Sequence, residues 1–144
     1  MARDRNAGAT ATVQGLDAML KALEALDETA RQGFRDAAMD AGQITLAAAR
    51  REAPRKTGAL GQSIKLVATT RGVKIRAGGT IKVPYANAVH FGYQRSRLNT
   101  RYRFARADIP ANKFLFRAVD QTASQVAGRY LESIGKIWET AIHG

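Results

Sequence analysis

Ser63-Ile64-Lys65-Leu66-Val67-Ala68-Thr69-Thr70-Arg71-Gly72-Val73-Lys74-Ile75-Arg76-Ala77 is the stretch where the apolar residues recur every second position. Ile64, Leu66 and Ala68 alternate with Ser63, Lys65 and Val67, and beyond Thr70-Arg71-Gly72 the residues Val73, Ile75 and Ala77 alternate with Lys74 and Arg76. Successive side chains of a strand point to opposite faces. The pattern therefore predicts an antiparallel hairpin with an apolar inner face and a basic outer one.

Ahead of the hairpin the period is that of a helix. Leu16, Met19, Leu20, Leu23 and Leu26 follow the i, i+3, i+4, i+7 spacing of an amphipathic helix. Thr29 with Gln32 resembles a capping box, after which Phe34, Ala37, Ala38, Ala41, Ile44, Thr45 and Ala48 carry a second helix to Ala53. Pro54 ends it, because proline disfavours the helical conformation in the residue before it. Its alanine-rich face lets a neighbouring element approach closely. Upstream, Ala9 to Gln14 is read as a short strand and residues 1–8 as a mobile arm. Downstream, Gly78-Gly79 marks a turn, and Ile81 to Phe91 is read as one more strand or a strand with a short helical turn. From Asn112 a long helix is expected, with Val119, Ala123, Val126, Ala127, Tyr130, Ile134, Ile137, Trp138 and Ala141 on one stripe. The class is α+β: two N-terminal helices, an antiparallel hairpin or small sheet, and a long C-terminal helix in one domain, residues 1–144.

A chain of 144 residues with 45% apolar side chains can bury about 68–70% of its unfolded surface around its own core. The absence of cysteine excludes disulfides, thiolate metal sites and a cysteine nucleophile. No apolar run approaches the roughly 18 residues of a membrane span, and no leader is visible at the N-terminus, so a soluble, non-secreted protein is expected. The net charge is +11 and is unevenly placed. Residues 50–106 hold 14 basic side chains and the single acid Glu52, while the remainder is slightly acidic. Charge polarised in this way concentrates polyanions on one side of the molecule.

The basic segment includes residues 93–107, a stretch with Arg95, Arg97, Arg101, Arg103 and Arg106, the aromatics Tyr93, Tyr102 and Phe104, and no acid. It reads as a basic loop, long for so small a domain. Arginine pairs bidentately with phosphate or carboxylate, and aromatics stack on bases or anchor a protein partner. An enzyme is not expected. No acid lies between Glu52 and Asp108 to form a carboxylate pair or a hard-metal cage, and His90 and His143 stand apart without a metal-binding spacing. No G-x-S-x-G or phosphate-binding glycine loop is present. Neither cofactor nor metal is called for. A small basic DNA-binding regulator is the rival reading, although the basic residues lie on hairpin and loop and the long helices are near neutral, which favours phosphate contacts over base readout.

Residues 46–64 read Leu-Ala-Ala-Ala-Arg-Arg-Glu-Ala-Pro-Arg-Lys-Thr-Gly-Ala-Leu-Gly-Gln-Ser-Ile. With Pro54, Thr57, Gly58, Leu60 and Ser63, this resembles the A-P-x-x-T-G-x-L-x-x-S-I signature of the gene-product-ten-like family of HK-type siphophages. Two further blocks agree in order. Pro84-Tyr85-Ala86-Asn87-Ala88-Val89-His90-Phe91-Gly92 is similar to the family's Y-A-x-x-V-E-F-G segment, with His90 where the family usually has glutamate. Pro110 to Ala118, with Phe114 and Leu115, is similar to its P-x-x-P-F-L-x-x-A block before the final helix. The likeness runs from about Leu16 to Ile134, and the motif residues Pro54, Thr57, Gly58, Leu60, Ser63, Tyr85, Phe91, Gly92, Pro110, Phe114 and Leu115 read as structural.

The resemblance implies a structural virion protein of a tailed bacteriophage, made in the host cytoplasm and placed at the head-to-tail junction as a tail-completion or connector ring. Six copies would match tail symmetry and twelve a portal. The implied partners are further copies of the chain and the adjacent head-closure, tail-terminator or tail-tube proteins, with no membrane. A tail terminator or head-closure ring of the same neck is the other reading within this class. Lys74, Arg76, Arg95, Arg97, Arg101, Arg103 and Arg106 are the candidate contacts to channel DNA phosphates or to an adjacent ring.

Overall fold

A computed structural model of the chain describes residues 9–12, 28–69, 72–95 and 107–143. The expected arm at 1–8, the helix expected over Leu16–Leu26 and the part of the basic loop from 96 to 106 lie outside the described residues. The elements run β1 (Ala9–Thr12), α1 (Glu28–Glu52), α2 (Ala59–Ser63), β2 (Lys65–Thr69), β3 (Gly72–Ala77), α3 (Ala86–Phe91) and α4 (Phe114–His143). The class is α+β, as the alternation of periods predicts.

Helix α1 buries Phe34, Ala37, Ala41, Thr45, Leu46, Ala48 and Ala49, a stripe at helical spacing. The Thr29/Gln32 pair does not start it. Both residues lie inside the helix, and the Gln32 amide donates one turn onward to Asp36 at 2.9 Å. Small side chains on the stripe bring α4 close, and these two helices share the most extensive packing between elements. At the contact the hydroxyls of Thr45 and Thr122 sit 2.8 Å apart, both residues buried. Thr122 Oγ1 donates to the Ala118 carbonyl at 2.7 Å, so its single proton is used and Thr45 is the donor between them. Glu52–Arg117 (3.0 Å) and Asp40–Arg129 (2.7 Å) join the helices at the surface, where such pairs contribute little to stability.

The strands form a three-stranded antiparallel sheet in the order β1-β3-β2. Ile75 and Ala77 are buried and Leu66 lies against Gly42 of α1, so the predicted inner face is the one covered by helix. Ile64, fully buried, closes the core beside Leu60, Phe114, Leu115 and Ala118.

Three expectations are corrected. Ile81 to Phe91 holds no named strand: Thr80 and Val83 close a turn with one isolated bridge, and Ala86–Phe91 is helical. Positive φ at Gly78 (71°) and Gly79 (77°) turns the chain off the sheet, and Ala86, Ala88 and His90 are buried on a short helix that core surrounds on more than one side, so burial at every second residue imitates a strand in sequence. The short helix α2 follows Pro54 where only a turn was expected. On α4 the expected stripe holds in part: Val119, Val126, Tyr130, Ile134 and Ile137 are half-buried, whereas Ala123, Ala127 and Trp138 are exposed and Thr122, outside the expected stripe, is buried. The buried face of α4 follows α1, which accepts a threonine because it supplies a hydroxyl partner. Among the described residues no helix is long and apolar enough to cross a membrane.

Candidate functional site

Pro54 stops α1, and Gly58, with φ of 77°, reverses the chain into α2. The Thr57 hydroxyl accepts the Ala59 N–H at 3.4 Å and Leu60 is buried under the turn. Ser63 then ties helix to sheet: its hydroxyl donates to the Leu60 carbonyl at 2.6 Å and accepts the Gly78 N–H at 3.0 Å. Arg50 Nη2 donates to the Ile64 carbonyl at 3.0 Å, fixing the start of β2 to α1. This block of the sequence therefore sets where the hairpin leaves the helix.

The hairpin's outer face carries the charge that the alternation predicts. Lys65 and Lys74 are exposed and Arg76 is half-buried. In the register Lys65 stands opposite Arg76, and Val67 opposite Lys74. Like charges directly across an antiparallel pair are disfavoured by roughly 0.2–1 kcal/mol, and here both belong to the basic outer face. Four acids of the long helices are engaged on those helices: Glu28 with Arg31, Asp40 with Arg129, Glu52 with Arg117 and Glu132 with Lys136. The Arg117 guanidinium beside Glu52 holds its carboxyl below the ordinary value, as Lys136 does for Glu132.

The basic loop is tied at its base. Tyr93 and Ile109 exchange both backbone hydrogen bonds at 2.8 Å, and the Asp108 carboxylate accepts the Arg95 N–H at 2.7 Å. Tyr93 is thus not a loop aromatic: it is buried beside Ala88 and Ile109. Arg95 is exposed at the mouth of the loop. Arg97, Arg101, Arg103 and Arg106, with Tyr102 and Phe104, lie outside the described residues.

The remaining motif blocks meet at one corner. Tyr85 precedes α3, and Gly92, with φ of 81°, ends it where the backbone passes Ala111. The carbonyls of Val89 and His90, left open by the helix end, accept the N–H groups of Asn112 and Lys113 at 2.9 Å. Pro110 is exposed in this connection, and Phe114 and Leu115 begin α4 fully buried. Phe91 differs from the others in being 55% exposed; it covers His90 from outside together with Phe116.

His90 is fully buried, with ring centroids of Phe91, Phe114 and Phe116 at 4.4, 5.2 and 4.6 Å. Neither ring nitrogen has a hydrogen-bond partner among the described residues. Loss of hydration, then the nearby Lys113 and Arg117 cations, push its pKa below the ordinary value of 6.5. A glutamate here would face the same two cations and gain from them; the histidine is instead held neutral. The unfolded chain binds the proton more readily, so the stability contribution is fully present above the ordinary histidine range and is lost as pH falls toward the depressed folded value. Thermal midpoints should therefore fall as pH drops below the ordinary histidine range of about 6.5, and His90→Phe should flatten that dependence. An unchanged slope in the variant would assign the pH effect elsewhere.

Among the described residues no cluster of histidine and acidic side chains could hold a metal ion. Two groups of cations stand out: Lys65, Lys74 and Arg76 on the outer face of the hairpin, and Arg50, Arg55 and Lys56 at the end of α1. Reading the sequence for outward-facing hairpin cations finds Lys74 and Arg76 but misses the group Arg50, Arg55 and Lys56, whose signal is a run of bases straddling a helix-ending proline. No curated protein and no solved structure matches the chain. Residues 17–92 match a family described as "Bacteriophage HK97-gp10, putative tail-component". That span holds α1, the Pro54–Ser63 turn, the hairpin and α3 up to Gly92, more than half of the chain, and the protein belongs to the HK97-gp10-like family of phage structural proteins.

Proposed function

We propose that this phage structural protein is a ring subunit of the head-to-tail junction, a tail-completion or connector component without catalytic activity, whose basic side faces DNA in the channel. The observation that carries the DNA-facing part is the outer face of the hairpin, where Lys65 and Arg76 stand opposite one another with Lys74 beside them. A closed ring requires head-to-tail contact between two different patches of neighbouring copies, and the polarised charge leaves the near-neutral helices for that contact. Six copies suit a tail and twelve a portal. Neighbouring head-closure, tail-terminator or tail-tube proteins complete the junction, and the basic lumen holds DNA by salt-sensitive phosphate contacts.

Electron microscopy of particles made with and without the gene tests the placement. Free filled heads beside tails of uniform length are expected in its absence; overgrown tails would instead make it a terminator. Normal joined virions would remove the junction role and favour a DNA-binding regulator. Particles carrying Lys65→Gln, Lys74→Gln and Arg76→Gln should assemble and leak DNA, and full retention would take the hairpin out of the channel.

A further inference from the structure

A cavity of about 720 Å³ opens at the end of α1, walled by Arg50, Arg55, Lys56, Thr57, Gly58 and Gln62 among others. Its shape follows from the turn already described. Pro54 halts the helix and the positive φ of Gly58 folds the chain back. A Cβ at Gly58 would meet nothing within 4 Å, so that wall faces open space.

Among the described residues, three cations and no acid line this space. The nearest acid in sequence, Glu52, is turned to Arg117 at 3.0 Å. Arg50 is oriented by its bond to the Ile64 carbonyl, and a guanidinium with five N–H donors keeps others to offer after making one bond. The Thr57 hydroxyl accepts the Ala59 N–H, leaving its own proton to donate. Cations also gather at helix C-termini to offset the dipole, which amounts to about half a negative charge. Three full positive charges exceed that several-fold, so helix compensation does not account for them.

We propose that this cavity is a binding site for backbone phosphates of nucleic acid, with Arg50, Arg55 and Lys56 as the charged contacts and Thr57 and Gln62 as neutral donors. The space is open on one side, so a length of sugar-phosphate chain can lie along it and bring more than one phosphate to the three cations. The site stands beside the start of β2, where Arg50 holds the Ile64 carbonyl one residue before Lys65. The assignment rests on the reading that this side of the protein faces DNA.

The test uses the full chain and short duplex DNA, followed by fluorescence anisotropy over a range of salt. Arg55→Gln with Lys56→Gln removes two cavity charges at exposed positions without touching Arg50, and circular dichroism and thermal melting confirm the fold. Two lost phosphate contacts should weaken binding by roughly 10–60-fold near 0.1 M salt and flatten the slope of log K against log salt by about 1.8. In the wild-type chain the amide resonances of Gly58 and Gly61 should shift on adding duplex and on adding inorganic phosphate. Shifts with inorganic phosphate and none with DNA would overturn the nucleic-acid assignment in favour of a free anion. If the cavity variant binds as wild type while Lys65→Gln with Lys74→Gln weakens binding, the cavity assignment fails and the basic-face reading stands. The reverse pattern removes the sheet contact and keeps the cavity. A wild-type chain that does not bind duplex overturns both.

Discussion

Phe114→Ala is expected to cost about 3–5 kcal/mol, as buried phenylalanine truncations do when the cavity cannot collapse. Phe114 is fully buried at the first turn of α4, in the cluster that includes Leu60, Ile64, Val83 and Leu115. Its ring also stands edge-on to His90 at 5.2 Å. Two neighbours resist collapse there: α3 is held by the Asn112 and Lys113 N–H groups, and α4 by its packing on α1. With a total stability of about 5–15 kcal/mol for a domain of this kind, the variant would lose a large share of it. Urea titration monitored by circular dichroism gives the value directly. A loss under about 1 kcal/mol would mean that the corner repacks and that the block before the final helix does not anchor the core.

Gly78→Ala should cost about 2–4 kcal/mol, combining a left-handed backbone with overpacking. Gly78 has φ of 71°, and a Cβ there would lie 2.4 Å from the Ala86 Cβ and 2.8 Å from the Val83 carbonyl oxygen. Neither neighbour is the end of a flexible side chain. The Gly78 N–H also donates to Ser63, so a shift of the backbone would loosen the link between sheet and α2. Gly58→Ala is the control. Its φ is similar, 77°, but the added Cβ would meet nothing within 4 Å, so only the conformational cost of about 1–2 kcal/mol applies. Equal losses for the two variants would show that the Ala86 contact gives way at little cost.

These two positions mark the division between what patterning shows and what packing adds. Gly78-Gly79 reads as a turn because glycine permits positive φ, but its need for bare space is set by Ala86, eight residues on, which only the folded chain brings against it. His90 is similar. In sequence it is a lone histidine in a strand-like stretch; in the structure it lies under Phe91 and Phe116, two residues separated by the whole basic loop.

Local periodicity was enough for the α+β class, the hairpin, its basic outer face, the end of α1 at Pro54 and the long final helix, because period 2 and period 3.6 are properties of neighbouring residues. The charge asymmetry was legible for the same reason, being a count along the chain. The extent of the helix at Ala86–Phe91, where only a short helical turn beside a strand was read, the burial of Thr122 on α4 and the burial of Tyr93 were not. Each depends on a partner distant in sequence: Gly78 against Ala86, Thr45 against Thr122, and Ile109 against Tyr93. The cavity at Arg50, Arg55 and Lys56 belongs with them, since a run of bases around a proline becomes a walled space only when Gly58 folds the chain back and Glu52 turns away to Arg117.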